Sequence, residues 1–221
     1  MLYIVPTPLG NLDDITLRAT QTLESCDFII AENPTITHKL LLLLKLPKKE
    51  VFQFAEHNEH KMLPILLDKL HTQVGCLVSD AGTPTISDPG FRLVRACRQE
   101  NLEVVSLPGA SAAITALAGS GLPTDKFLFT GFLAKTENKI VKTLTEAQQI
   151  NATLVAYDSP KRILKTLNFI KNNFPLAHIV VARELTKKHE EYLQGTAQTL
   201  IEILSERDSI KGEVTLVVSF K

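Results

Sequence analysis

The stretch Ser79-Asp80-Ala81-Gly82-Thr83-Pro84-Thr85-Ile86-Ser87-Asp88-Pro89-Gly90 decides the fold of this 221-residue chain. It follows an apolar run, Val74 to Ser79, that reads as a strand, and it precedes a helical pattern from Gly90 to Glu100. Ala81 and Gly82 let a ligand approach the backbone closely, and Pro84 and Pro89 fix the path of the loop. Asp80, at the carboxyl end of the strand, can accept hydrogen bonds from that ligand. Ser87 or Asp88 is in position to cap the helix. Any tight strand-to-helix turn uses Gly, Pro and Asp, but twelve residues at this density exceed what a turn requires.

Two more loops of the same kind lie on either side. Pro6-Thr7-Pro8-Leu9-Gly10-Asn11 follows the strand signal Leu2 to Val5, and Pro108-Gly109-Ala110-Ser111-Ala112-Ala113 follows Val104 to Leu107. Phe28 to Ala31 and Val51 to Phe54 complete a set of strands that are apolar on successive residues, as strands covered on both faces are. Helical patterns at Ile15 to Glu24, Thr37 to Leu44 and Ser111 to Ala118 separate them, with another over Asn58 to Leu70 unless Pro64 marks its start. Repeated alternation predicts an α/β fold with a mainly parallel sheet, in which such loops share the carboxyl edge of the strands and converge on one site.

The turn-rich Ser120-Gly121-Leu122-Pro123-Thr124-Asp125 interrupts the alternation. It predicts a domain over residues 1–119, a linker over 120–126 and a smaller mixed α/β domain over 127–221. Strand signals in the second half fall at Phe127 to Phe129, Thr153 to Tyr157, His178 to Arg183 and Val214 to Phe220. Helical patterns fall at Thr136 to Gln149, Lys161 to Asn172 and Thr199 to Glu206.

Composition narrows the function classes. The chain has 24 basic and 24 acidic side chains and is 44% hydrophobic, which excludes disorder and a uniformly basic nucleic-acid coat. The zero is a cancellation of −4 over residues 1–125, +7 over 126–188 and −3 over 189–221. Lys135, Lys139 and Lys142, then Lys161, Arg162 and Lys165, recur at helical spacing, so the second domain presents either an anion-binding surface or ordinary solvated helix faces.

No membrane span is expected, because the longest aliphatic run, Leu40 to Leu44, falls far short of the roughly 20 residues required. The N-terminus reads as a buried strand and not as a secretory signal, and Cys26, Cys76 and Cys97, widely spaced and odd in number, fit buried thiols in a reducing cytoplasm. Neither a G-x-G-x-x-G turn nor a G-x-x-x-x-G-K-[ST] phosphate loop occurs, which removes support for a nicotinamide or P-loop enzyme. His57 and His60 lie three apart but have no third ligand at a recognisable spacing, so a helix start capped by Asn58 is the simpler reading and no metal is expected.

The residues carry a resemblance. The stretch Ser79 to Gly90, Pro6-Thr7-Pro8-Leu9-Gly10-Asn11-Leu12-Asp13-Asp14-Ile15, Ser120-Gly121-Leu122-Pro123-Thr124-Asp125-Lys126-Phe127 and Ala182-Arg183-Glu184-Leu185-Thr186-Lys187 together resemble the ribosomal RNA small subunit methyltransferase I family of the tetrapyrrole methylase superfamily, in collinear order over nearly the whole chain. The resemblance implies a two-domain class III methyltransferase that holds S-adenosylmethionine in a cleft between domains. It further implies 2′-O-methylation of a cytidine ribose in small-subunit ribosomal RNA, with the RNA or the 30S subunit as partner, and work as a cytoplasmic homodimer. Carried over by motif, the cofactor would lie against Pro8, Leu9, Asp80, Ala81, Gly82, Thr83, Ser111, Ala112, Tyr157 and Leu185. A ribose hydroxyl is a weak nucleophile that needs alignment and help in losing its proton. Glu32 and Glu184 stand at the family's motif positions as candidate bases, and Arg183 or Lys187 would hold a phosphate or act electrostatically, with a structural ion pair as the alternative for Arg183 and Glu184.

The match also departs from the family. Ala31-Glu32-Asn33-Pro34-Thr35 replaces the usual Ala-Glu-Asp-Thr-Arg, and Tyr157-Asp158-Ser159-Pro160-Lys161-Arg162 replaces Tyr-Glu-Ser-Pro-His-Arg. Ala134 stands where proline is common, and the sequence ends at Ser219-Phe220-Lys221, where many members continue into a helical extension. A small acceptor such as a tetrapyrrole, or a noncatalytic cofactor-binding module, are the competing expectations.

Overall fold

Strict alternation in the first strands sends successive side chains to opposite faces of a sheet, and both faces are apolar. In the computed structural model, which describes all residues from Met1 to Lys221, these strands are β1 (Leu2–Ile4), β2 (Phe28–Ala31), β3 (Glu50–Gln53), β4 (Gly75–Val78) and β5 (Val104–Ser106). Every pairing among them is parallel and the order is β3-β2-β4-β1-β5. On one face Leu2, Ile4, Phe28, Ile30 and Leu77 pack with Leu66 and Leu70 of α3 (Glu59–Thr72) and with Leu93 and Cys97 of α4 (Phe91–Gln99). On the other, Ile29, Ala31, Cys76 and Val78 pack with Ala19 and Leu23 of α1 (Leu17–Ser25) and Leu41 of α2 (Pro34–Leu43). All three cysteines are buried free thiols within these layers.

Local chemistry sets the helix starts. Thr16 Oγ1 accepts from the Ala19 N–H at 3.0 Å to begin α1, and Asn33 Oδ1 accepts from the Thr35 N–H at 3.1 Å, with Pro34 in the first turn of α2. Two expectations are corrected. The cap position of α4 is Gly90, at φ 122°, and not Ser87 or Asp88. Asn58 does begin α3, but its side chain turns back to the Ala55 N–H (2.8 Å) and the Gln53 carbonyl (3.2 Å), and Pro64 is carried inside the helix.

The two compact units are Met1–Ser111 and Ala112–Lys221, nearly equal in length. The division falls before α5 (Ala112–Gly119), ahead of the turn-rich stretch, because α5 packs on strands of the second unit. That helix, expected to end the first domain, is why the second is not the smaller one.

The second unit contains β6 (Phe127–Phe132), α6 (Glu137–Gln149), β7 (Thr153–Asp158), α7 (Ile163–Asn173), β8 (His178–Arg183), β9 (Glu191–Gly195), α8 (Ala197–Ser205) and β10 (Val214–Ser219). Its sheet order is β6-β7-β10-β8-β9, with β6 and β7 parallel and the remaining pairs antiparallel. Leu154, Ala156, Val181, Leu216 and Val218 face Leu144, Leu167, Ile170 and Leu200, each large side chain contributing about 1.5–3 kcal/mol by leaving water. The edge strand β9 has no counterpart in the sequence reading: half-buried, and polar at Glu191 and Gln194, it lacks the unbroken apolar run that marks its neighbours.

Candidate active site

Neighbouring strands β1 and β4 send their connections in opposite directions, β1 toward β2 and β4 toward β5. Such a reversal opens a crevice beyond the carboxyl ends of a parallel sheet, and this is where α/β proteins bind ligands. Three loops meet there through main-chain bonds. The Thr7 N–H donates to the Gly82 carbonyl at 2.9 Å and the Gly82 N–H donates back to Thr7 at 3.0 Å. Pro6 and Pro8 have no N–H, so Thr7 is the one residue of that tripeptide that can donate. Thr7 Oγ1 donates to the Ser79 carbonyl at 3.1 Å, and Thr83 Oγ1 donates to the Ala110 carbonyl at 2.8 Å.

Glycine is required at two points of this frame. Gly82 has φ 80°, and a Cβ there would lie 3.2 Å from Leu9 Cδ2. At Gly109 a Cβ would stand 2.5 Å from Pro6 Cβ, so the third loop reaches the first only without a side chain. The structure thus brings together Pro8, Leu9, Ala81, Gly82 and Thr83, with Ala110 leading into Ser111. Ala112, Tyr157 and Leu185 belong to the second unit.

Glu32 and Asp80 project from the ends of adjacent strands, since Ala31 pairs with Val78. The Glu32 carboxyl is pushed above its ordinary value by partial burial and then by the negative charge of Asp80. Asp80 is also raised by the loops packed around it, against the opposing effect of a hydrogen bond from the Asn33 N–H. One carboxylate pair at the strand ends therefore holds a proton more tightly than free carboxylates do.

The residues Arg183, Glu184 and Lys187 form a different kind of cluster. Glu184 Oε1 accepts from the Glu213 N–H at 2.9 Å and from Lys187 Nζ at 3.0 Å, and these two bonds lower its pKa. Lys187 reaches Glu213 Oε2 at 2.8 Å as well; burial opposes its charge, but the two carboxylates outweigh that and raise its pKa. Arg183 bonds Glu191 through Nε and the Lys211 carbonyl through Nη1 at 2.7 Å. Arg207 closes the set by gripping both oxygens of Glu191, which is driven down to about 2 by Arg207 and Arg183. Glu184 and Thr186 both have positive φ, at 52° and 64°, inside a loop that these pairs hold in place. Glu191, Arg207 and Glu213 were not among the sequence candidates; no spacing rule connects partners this far apart in the chain.

Of the basic residues singled out by spacing, Arg162 faces inward. It bonds the buried Asp158 at 2.7 Å and the carbonyls of Leu133 and Ala134, while Thr166 Oγ1 donates to the other Asp158 oxygen at 2.6 Å. Lys142 lies 4.0 Å from Glu146, whereas Lys135, Lys139, Lys161 and Lys165 have no carboxylate partner. His60 meets Arg92 Nη1 at 3.1 Å, and no three His, Cys, Asp or Glu side chains gather closely enough to hold a metal ion.

Three loops meeting at the switch point of a parallel sheet, with a carboxylate pair at its strand ends and a second mixed sheet following in the chain, frame an α/β ligand site, and the matching family model makes the protein an S-adenosylmethionine-dependent methyltransferase. The sequence model of the family described as Tetrapyrrole (Corrin/Porphyrin) Methylases matches residues 1–201, and the chain belongs to this family. Among similar proteins, ribosomal RNA small subunit methyltransferase I of Hydrogenobaculum sp. (strain Y04AAS1) is 43% identical, the match covering 99% of this chain and 95% of that protein. The protein of the same name from Vibrio cholerae is 44% identical, with 99% and 76% covered. Among solved structures, a diphthine synthase aligns with a TM-score of 0.77 at 15% identity over 99% of this chain and 89% of its own. A cobalt precorrin-4 methyltransferase aligns with a TM-score of 0.71 at 18% identity over 99% and 94%. At these identities the structures show the shared fold.

Proposed function

We propose that this methyltransferase acts on small-subunit ribosomal RNA, placing a methyl group on the 2′-oxygen of a cytidine ribose, in the cytoplasm and as a homodimer. The observation that carries the RNA acceptor is the full-length similarity to proteins named ribosomal RNA small subunit methyltransferase I. The cytidine, the ribose oxygen and the dimer extend the resemblance of the motifs described above.

The residues present fit S-adenosylmethionine. A φ of 80° and the 3.2 Å approach to Leu9 keep Gly82 bare, and the donor-rich amino acid and ribose parts of the cofactor suit the Asp80 carboxylate and nearby main-chain carbonyls. Pro8, Leu9, Asp80, Ala81, Gly82, Thr83, Ser111, Ala112, Tyr157 and Leu185 are assigned to it. When bound, it supplies an electrophilic methyl group on a sulfonium. Glu32 takes the proton of the ribose hydroxyl, for which a carboxylate with a raised pKa is better suited than Glu184, whose ionised form is already held by two donors. Arg183, Glu184 and Lys187 brace the loop that carries Leu185.

The test is methylation of small subunits that lack the modification, with radiolabelled S-adenosylmethionine and nuclease mapping of the label. Label on a cytidine 2′-oxygen is expected, and Glu32→Gln should lower kcat by about 100-fold or more, the usual range for loss of a general base. Absence of label under conditions where a relative is active overturns the acceptor, and Glu32→Gln turning over like the wild type overturns the base.

A further inference from the structure

Strand β6 does not run straight along β7. Phe127 to Phe129 pair in register with Thr153 to Val155, but the register shifts before Phe132 meets Tyr157, and Gly131 takes φ 64° within the shift. The irregularity leaves Thr130 Oγ1 buried without a hydrogen-bond partner, a cost that ordinary packing has no reason to retain. Bulges of this kind re-aim a side chain, and the one re-aimed here is Phe132. Phe132 is 64% exposed. Tyr157 holds it edge to face at 5.5 Å, and Phe129 holds Tyr157 in the same manner at 5.1 Å, so the exposed ring is fixed from behind and not loose on the surface.

Because β6 and β7 are parallel, the loops that leave them emerge at the same end of the sheet. Each loop carries an exposed lysine three residues past its strand, Lys135 after Phe132 and Lys161 after Asp158, and neither has a carboxylate partner. An immobilised, solvent-facing aromatic flanked by unpaired cations is the combination that binds single-stranded nucleic acid, with the ring stacking a base and the cations meeting phosphates.

We propose that Phe132 is a stacking platform for an unpaired base of the RNA acceptor, with Lys135 and Lys161 taking the adjoining phosphates. The proposal rests on RNA as the acceptor and assigns the subsite that recognises it. The charge supports this occupant over a protein: the +7 stretch from residue 126 to 188 contains all three residues.

The experiment uses the full chain and a short single-stranded RNA carrying one 2-aminopurine, a base whose fluorescence is quenched by stacking. Wild type should bind and quench it. Phe132→Ala should lose the quench and bind the RNA about tenfold more weakly, Phe132→Tyr should keep both, and affinity for S-adenosylmethionine should stay within about twofold in each. Equal quenching and affinity in Phe132→Ala overturn the proposal. So does an Ala variant that binds RNA normally but sediments at a different mass, since that places Phe132 in a contact between copies. Methylation of unmodified small subunits is measured alongside. A wild type that methylates RNA while Phe132→Ala matches it sinks the platform alone; a wild type that neither binds nor methylates RNA sinks the acceptor and the platform together.

Discussion

In the proposed site Asp80 serves two ends at once. Its carboxylate suits the donors of the cofactor, and its charge raises the pKa of Glu32 on the next strand. As the proposed base Glu32 works only when ionised, so the turnover rate is expected to rise as pH passes upward through its pKa. Removing the charge with Asp80→Asn lowers that pKa and moves the ascending limb of the pH–rate profile to lower pH, measured at saturating cofactor. An unmoved limb would show that Asp80 does not set the base. Part of this site was legible in the sequence, because Asp80, Gly82 and Glu32 sit at strand ends and strand ends follow from apolar runs. The pairing of the two carboxylates was not: it depends on β4 inserting beside β2, and the order of strands in a sheet is a tertiary outcome.

The β8–β9 element shows what local reading cannot supply. Ala182-Arg183-Glu184-Leu185-Thr186-Lys187 supplies candidates through the family motif, with an ion pair as the alternative for Arg183 and Glu184; in the fold Arg183 pairs with Glu191, and Lys187 with Glu184 and Glu213, and Glu191 and Glu213 stand on segments that spacing rules do not connect. Glu191 bears the largest consequence. Its pKa is near 4.5 in the unfolded chain and about 2 in the fold, so its contribution to stability is complete above about pH 4.5 and is lost as pH falls toward 2. Glu191→Gln should therefore destabilise the protein by about 2–3 kcal/mol at neutral pH, with the gap to wild type closing in acid. Chemical denaturation at pH 7 and pH 3 checks it, and a gap that does not narrow in acid would assign the loss to packing.

At the scale of the whole molecule, a neutral sum conceals a separation of charge that the structure sharpens further. Arg162, Arg183, Lys142 and Lys187 are occupied by carboxylates, which leaves Lys126, Lys135, Lys139, Lys161, Lys165, Lys171 and Lys188 as the unpaired cations of the basic stretch. RNA affinity should fall with salt along a log–log slope no steeper than about −5, the limit if all of these reach phosphate, while cofactor affinity changes little. A steeper slope in a filter-binding titration would mean that RNA also meets cations elsewhere. The loop frame has a consequence of another kind. Thr7 and Gly82 are joined in both directions through main-chain atoms, so this junction of the first and second loops does not depend on which side chain stands at position 7. A substitution at position 7 that keeps the backbone free to bond Gly82 should then leave this junction in place, whereas proline there, which has no N–H, would break it.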